Sequence, residues 1–340
     1  KDDPYYISAI GGLGERSGNN LSKETDLALA VGTKLADFTT GSWANFENPN
    51  FKLVSVNAAR FDANKHLATP VISDVKVGLK QLSDALGDWQ APANWHERAV
   101  KEKNDWEAFI QKESGPTNQT EPSYAHVVGA VYRNAEPSTV CVSAAGGLVG
   151  ELVQIWKPKQ LNTFVSEWGY SCMSFELSGG LGVKMALPDS EVYVMVGDGS
   201  YLMMNSEIFS SVMLGLKLII VVVDNGGYGC IHRLQENCGN SGFNNLIRDC
   251  RSTQNEVMRV DFAAHASSMG AKSEEVEGIA SLEKALERAR NSETTYVINI
   301  LTDPKKTVEE GGNWWDVAVA EVSNEKGVNK ARKNYEVQKE

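Results

Sequence analysis

The chain has 340 residues, 42% of them hydrophobic, and a formal net charge of −11 from 33 basic and 44 acidic side chains. That balance excludes a general nucleic-acid or anionic-membrane surface and leaves room only for a local basic pocket. Five cysteines, odd in number and without a C-x-x-C pair, argue against a disulfide framework or a zinc site and fit a reducing cytoplasm. No apolar run reaches the length of a membrane span, and no signal peptide is visible.

In chain order, apolar β-branched runs at 27–32 (LALAVG) and 51–56 (FKLVSV) predict the first strands. A helical pattern at 74–87 follows, with Val75, Leu79, Leu82 and Leu86 on one face and Gly87 as its stop. A first domain is expected over residues 1–90. Residues 91–121 hold a helix dense in charge of both signs, then the loop SGPTNQTEP, and read as a linker. The second unit, 122–305, carries strand runs at 139–143, 192–197, 217–223 and 295–301 and a helical pattern at 281–290. Residues 306–340 are a tail, irregular and then charged and helical. Several runs are apolar on both faces, as strands of a covered parallel sheet must be. The fold class is therefore α/β, with two doubly wound parallel-sheet domains, a central Rossmann-like one and then a second.

The run VYVMV ends in Gly197-Asp198-Gly199-Ser200, and a helical stretch and the strand KLIIVVV lead to Asp224-Asn225-Gly226-Gly227. A right-handed crossover sets such strands close together with both carboxyl ends on one edge. Asp198 and Asn225 then converge. One carboxylate and one amide oxygen suit Mg²⁺ or Ca²⁺, and the glycines leave backbone bare for a bulky anion. Ser200 offers a hydroxyl. Either motif alone also reads as a helix cap or an ordinary turn; the pair, each directly after a buried strand, points to a metal–diphosphate site.

GDG, 24 residues, then DN resembles the signature of the thiamine-diphosphate (ThDP) enzymes, which usually ends in Asn-Asn. Asp224 departs from the first Asn of that pair. The resemblance implies that Asp198, Asn225 and the main-chain carbonyl of Gly227 are ligands of Mg²⁺, and that Gly197, Gly199 and Ser200 line the cofactor. It places Met173, in GYSCMSFELSGGLGVKMA, where relatives carry the apolar wedge that bends ThDP, although a core Met filling a gap is a common alternative. Gly147, in AAGGLVGELV, falls where relatives contact the diphosphate, or in a simple Gly-rich turn.

The strings DFTTGSW (37–43), GGYGCI (226–231) and GGNWWDVAVAEVS (311–323) resemble those of the trihydroxycyclohexane-1,2-dione hydrolases of myo-inositol catabolism, within the pyruvate-oxidase-like branch. The implied reaction is hydrolytic opening of a cyclic 1,2-diketone to 5-deoxy-glucuronate, with the cofactor ring as electron sink. Rival readings are an acetohydroxyacid synthase or 2-oxoacid decarboxylase, a catalytically silent ThDP-binding subunit, and a nucleotide-binding Rossmann protein using GGLGERSG (11–18). Some relatives bind FAD in the central domain, so FAD stays a possible cofactor that this weak loop pattern does not support.

His232 could donate to an oxyanion or simply lie on the surface. Trp314 and Trp315 could close over the site or anchor a core. The Glu that activates ThDP in this branch comes from a pyrimidine-binding domain, of the same or a neighbouring subunit, for which this chain has no room. That domain is expected to be missing or to be a separate chain, so no catalytic residue is assigned here and the 340 residues alone are expected to be inactive. A homodimer or homotetramer is expected because the family builds its sites across subunits.

Overall fold

The computed structural model describes residues 3–250, 258–308 and 316–339. The chain divides into two compact units, Lys1–Phe109 with Glu310–Val317, and Ile110–Glu309 with Ala318–Glu340.

In the first unit, helix α1 (Arg16–Glu24) precedes strand β1 (Leu27–Val31), the short helix α2 (Asp37–Thr40), β2 (Lys52–Asn57), α3 (Arg60–Ala63), β3 (Thr69–Ile72) and α4 (Val75–Leu86). The strands form a parallel sheet of order β1-β2-β3. Helix α4 starts at Asp74, whose carboxylate accepts from the N–H groups of Lys76 and Val77, and stops at Gly87. Its apolar stripe differs from expectation in one respect. Leu79 and Leu86 are exposed, and the helix meets β2 through Gly78, where a Cβ would press on Val56. The charged segment forms helix α5 (Ala93–Glu113), laced by ion pairs of Arg98 with Glu24 and Glu102.

The second unit continues with α6 (Tyr124–Asn134), β4 (Val140–Ser143), α7 (Gly147–Ile155), β5 (Phe164–Ser166), α8 (Phe175–Ala186), β6 (Val192–Gly197), α9 (Asp198–Met204) and α10 (Ser206–Met213). There follow β7 (Ile219–Asp224), α11 (Gly229–Asn237), α12 (Phe262–Ser268), β8 (Lys272–Val276), α13 (Gly278–Arg290), β9 (Tyr296–Leu301) and the tail helix α14 (Lys326–Lys339). The strands pair in parallel in the order β5-β4-β6-β7-β9-β8. Central strands are buried at every position from Ile219 to Asp224. One face packs Val194, Val196, Ile220 and Val222 against Leu177 and Leu181 of α8, Ile208 of α10 and Phe262 of α12. Helix α6 packs against both α7 and α13, with α7 against β6 and α13 against β9, so helices cover both faces. Apolar residues on both sides of each central strand are the sequence signature of that sandwiching.

The strands absent from the sequence reading, β3, β5 and β8, all lie at sheet edges. An edge strand can pair while exposing side chains: every residue of TPVI is exposed, and KSEEV buries only Val276. Among the described residues no helix is long and apolar enough to cross a membrane.

Helix α8 approaches β6 closely because Gly180 carries no side chain; a Cβ there would collide with Val194, itself fully buried. Gly180→Ala is expected to lower the stability of the second unit by about 1–3 kcal/mol, the usual cost of overpacking, read as a lower urea midpoint.

Candidate functional site

Strands β6 and β7 are neighbours, with Gly197 paired to Val223, so their carboxyl ends open side by side. Asp198, the first residue of α9, is 4% exposed and Asp224, the last of β7, is 2% exposed. Oδ2 of Asp198 accepts the N–H of Gly227 at 2.6 Å, which ties one strand end to the loop after the other. Oδ1 of Asp224 accepts from Gly226 N–H at 2.9 Å and shapes the turn. Its backbone carbonyl takes the N–H and hydroxyl of Thr302, just past β9. The loop needs glycine at two places: Gly226 has φ +75° and Gly227 φ +144°, where a Cβ would also strike the carbonyl of Asn245. Around Gly227 the backbone bonds run from Ile247 N–H to Gly226 and from Tyr228 N–H to Asn245, leaving Gly227's own carbonyl outside them. Asn225 donates its amide N–H to the Tyr124 hydroxyl, while its Oδ1 is buried without a partner among the described residues.

Burial pushes the Asp198 carboxyl above its ordinary value, and the neighbouring Asp224 carboxylate pushes it further; N–H groups of Gly199 and Gly227 act the other way. Arg259 approaches Asp224 at 3.4 Å, and among the described residues no cationic side chain pairs with Asp198. Two buried carboxylates and an orphaned amide oxygen are costly without a cation. Asp198, Asn225 Oδ1 and the Gly227 carbonyl form a hard-oxygen set of the kind Mg²⁺ takes, so the residues present fit that ion.

Residues 144–300 match the family described as "Thiamine pyrophosphate enzyme, C-terminal TPP binding domain", and residues 1–82 match "Thiamine pyrophosphate enzyme, central domain". The chain belongs to the thiamine pyrophosphate enzymes. Among curated proteins it is 33% identical over 356 residues to a 3D-(3,5/4)-trihydroxycyclohexane-1,2-dione hydrolase of Bacillus anthracis, covering 96% of this chain and 55% of that protein. The similarity to proteins of the same description is 33% over 353 residues in Clostridium tetani (96% of this chain) and 34% over 358 residues in Geobacillus thermodenitrificans (97% of this chain). The chain spans about half the length of these relatives, 55% in each case.

In this thiamine pyrophosphate enzyme the other sequence-predicted residues gather at the same edge, with two exceptions. Gly197 caps α9 with open space at its Cβ position, and Gly199 faces the Tyr228 ring and the Met173 methyl. Met173 is 37% exposed, a side chain on open ground rather than a filled core position. The Ser200 hydroxyl is committed: it donates to Glu176 Oε2 at 2.9 Å and accepts Ser174 N–H at 2.6 Å. Ser174 returns a bond to the Ser200 carbonyl, and Glu176 also accepts Ala145 N–H at 3.4 Å. Glu176 thus clasps the loops after β4, β5 and β6 together. Gly147 opens α7 after Gly146, whose φ is +79°.

The exceptions are His232 and the tryptophans. His232 is 3% exposed, not a surface residue, and its ring packs under Gly242 between Glu236 and Asp249. Trp314 and Trp315 lie outside the described residues. Sequence reasoning passed over Tyr124, Glu176 and Arg233, which reach the site from other elements. Only the Ser123 cap before Tyr124 is a local signal, and it speaks of a helix start.

Glu151 of α7 is 4% exposed; Oε1 accepts from Val308 N–H at 2.9 Å and Oε2 has no partner among the described residues. Burial pushes its carboxyl up to about 7 from 4.5, against the opposing pull of Val308 N–H and Arg233. The unfolded chain therefore ionises first, and stability falls as pH rises from the unfolded value through the folded one. Glu151→Gln is expected to remove up to about 3 kcal/mol of that decline between pH 5 and pH 8, measured by urea unfolding of both proteins at each pH.

Proposed function

We propose that this chain is the cofactor-holding part of a ThDP- and Mg²⁺-dependent hydrolase that opens the ring of trihydroxycyclohexane-1,2-dione to 5-deoxy-glucuronate in myo-inositol degradation. The observation that carries the cofactor reading is the buried, unpartnered Asn225 Oδ1 beside the Asp198 carboxylate. The substrate reading is supported by the relatives, described as hydrolases of that diketone along 96% of this chain.

Asp198, Asn225 and the Gly227 carbonyl would hold Mg²⁺, which joins an anionic diphosphate to an acidic protein. Gly197, Gly199 and Ser200 would meet the cofactor through backbone, since the Ser200 hydroxyl is engaged by Glu176. Gly147 would lie at the diphosphate, and Met173 beneath the bend between the two cofactor rings. When bound, ThDP supplies the electron sink that lets a bond between adjacent carbonyl carbons break. This chain's part is to hold that group still and exclude competing water while one water molecule is admitted. The Glu that activates the cofactor would come from a pyrimidine-binding domain of the same or a neighbouring subunit, in a cytoplasmic homodimer or homotetramer.

The test supplies the full-length protein, ThDP and Mg²⁺ with trihydroxycyclohexane-1,2-dione and, separately, pyruvate, and follows products by mass spectrometry. The ring-opened acid is expected from the dione alone. Asp198→Ala should abolish it and weaken Mg²⁺-dependent ThDP binding by at least about a hundredfold, since even partners behind the metal ligands typically cost 10–100-fold. Turnover of pyruvate instead would keep the cofactor and discard the substrate.

A further inference from the structure

The guanidinium of Arg233, on α11, lies directly over the α-carbon of Gly147, so closely that any Cβ at Gly147 would strike Nη2. Its Nη1 donates to the carbonyl of Pro304 at 2.7 Å, which fixes the side chain from the far side. Among the described residues no carboxylate stands within ion-pair distance of this half-buried cation. The buried Glu151 carboxyl feels its charge from farther off, and the position of the guanidinium makes the lack of a directly paired anion costly. Gly147 is the first residue of the nine-residue helix α7, so the guanidinium sits at the end of a helix that already carries positive partial charge. Two positive features brought together, half out of water, call for an anion between them. Gly146 leaves room for one, since among the described residues nothing stands within 4 Å of its Cβ position.

The same cation is connected to the metal loop. Tyr124 bonds to Asn225, and its hydroxyl feels both the Asp198 carboxylate and the Arg233 charge. The ring of Tyr124 is also a neighbour of the Gly147 Cβ position, at 3.7 Å. Arg233, Gly147, Tyr124 and Asn225 therefore form one continuous wall, with a cation at one end and the metal ligands at the other.

We propose that Arg233 is a second cationic anchor for the cofactor diphosphate, gripping phosphate oxygens at the Gly146–Gly147 turn on the side away from Asp198. The inference rests on the ThDP reading given above and deepens it. It gives Gly147 a specific reason to lack a side chain: a methyl group there would push the guanidinium off the phosphate. In a chain of net charge −11 a single divalent cation does not neutralise a diphosphate with its ligand carboxylate, and Arg233 supplies the balance. An arginine can grip two phosphate oxygens at once with its planar fork, which also fixes the diphosphate's orientation.

Binding is the readout, independent of turnover. ThDP and thiamine monophosphate are titrated against the full-length protein with Mg²⁺, following tryptophan fluorescence, for the native protein, Arg233→Gln and Arg233→Lys. Arg233→Gln is expected to weaken ThDP binding about 10–100-fold while changing the monophosphate much less, so the preference for the diphosphate shrinks. Arg233→Lys should restore part of that preference. Thermal unfolding without ligand separates a folding defect from a binding one, and the neutral Arg233→Met carries the comparison if the glutamine variant unfolds early. An unchanged preference for ThDP in whichever of these two neutral variants folds overturns the proposal. A native protein that binds neither ester, with Asp198→Ala indistinguishable from it, would overturn the ThDP reading itself.

Discussion

Two acidic side chains, Asp198 and Asp224, stand at the buried carboxyl ends of adjacent parallel strands, and the rest of the site is arranged around that cost. A carboxylate removed from water must find donors or a cation. Asp224 finds Gly226 N–H and the edge of Arg259, and spends its carboxylate on shaping a turn. Asp198 finds the N–H of Gly227, which locks the loop after β7 to the end of β6, but no cationic side chain among the described residues. The charge left over at Asp198 and the buried Oδ1 of Asn225, without a partner among the described residues, are the features on which the proposed cation site rests. The position of the strands decides it: parallel pairing of Gly197 with Val223 brings the two acidic residues together.

Around that corner the connections are mechanical as well as electrostatic. Glu176, buried on α8, ties Ser200 and Ala145, while Ser174 grips Ser200 from both its N–H and its hydroxyl. The segment bearing Met173 is therefore anchored to the segment bearing Asp198, and the Met173 methyl lies 3.6 Å from the Cβ position of Gly199. Holding three loops by one buried carboxyl gives the site rigidity without needing large packed area on its open side. His232 serves the loop 239–249 in a similar way, filling the space beneath Gly242.

Much of the fold was legible in the residues, with a clear limit. VYVMVG and KLIIVVV are central and apolar on both faces, so burial writes itself into every position, while LALAV was legible from its apolar run although it forms an edge. The strands passed over are edges, where KSEEV can expose its charges and still pair with β9. The helix at 74–87 was legible from Asp74 to Gly87, yet its period did not reveal that Leu79 and Leu86 stay exposed and that Gly78 makes the contact. Periodicity reports which residues share a face. It does not report what covers that face.

For the site, the sequence by itself determined the local chemistry: Gly-Asp-Gly and Asp-Asn-Gly-Gly, each following a buried strand, place bare backbone and side-chain oxygens at two strand ends. The reason is that strand direction and turn conformation are short-range properties of a few residues. Only the tertiary structure decided who completes the site. Tyr124 lies 101 residues from Asn225, and Arg233 reaches Gly147 from a different helix. It also turned the Ser200 hydroxyl inward to Glu176 and placed His232 beneath a loop. Such partners are chosen by the packing of helices against a shared sheet, and that depends on the whole chain rather than on any local pattern.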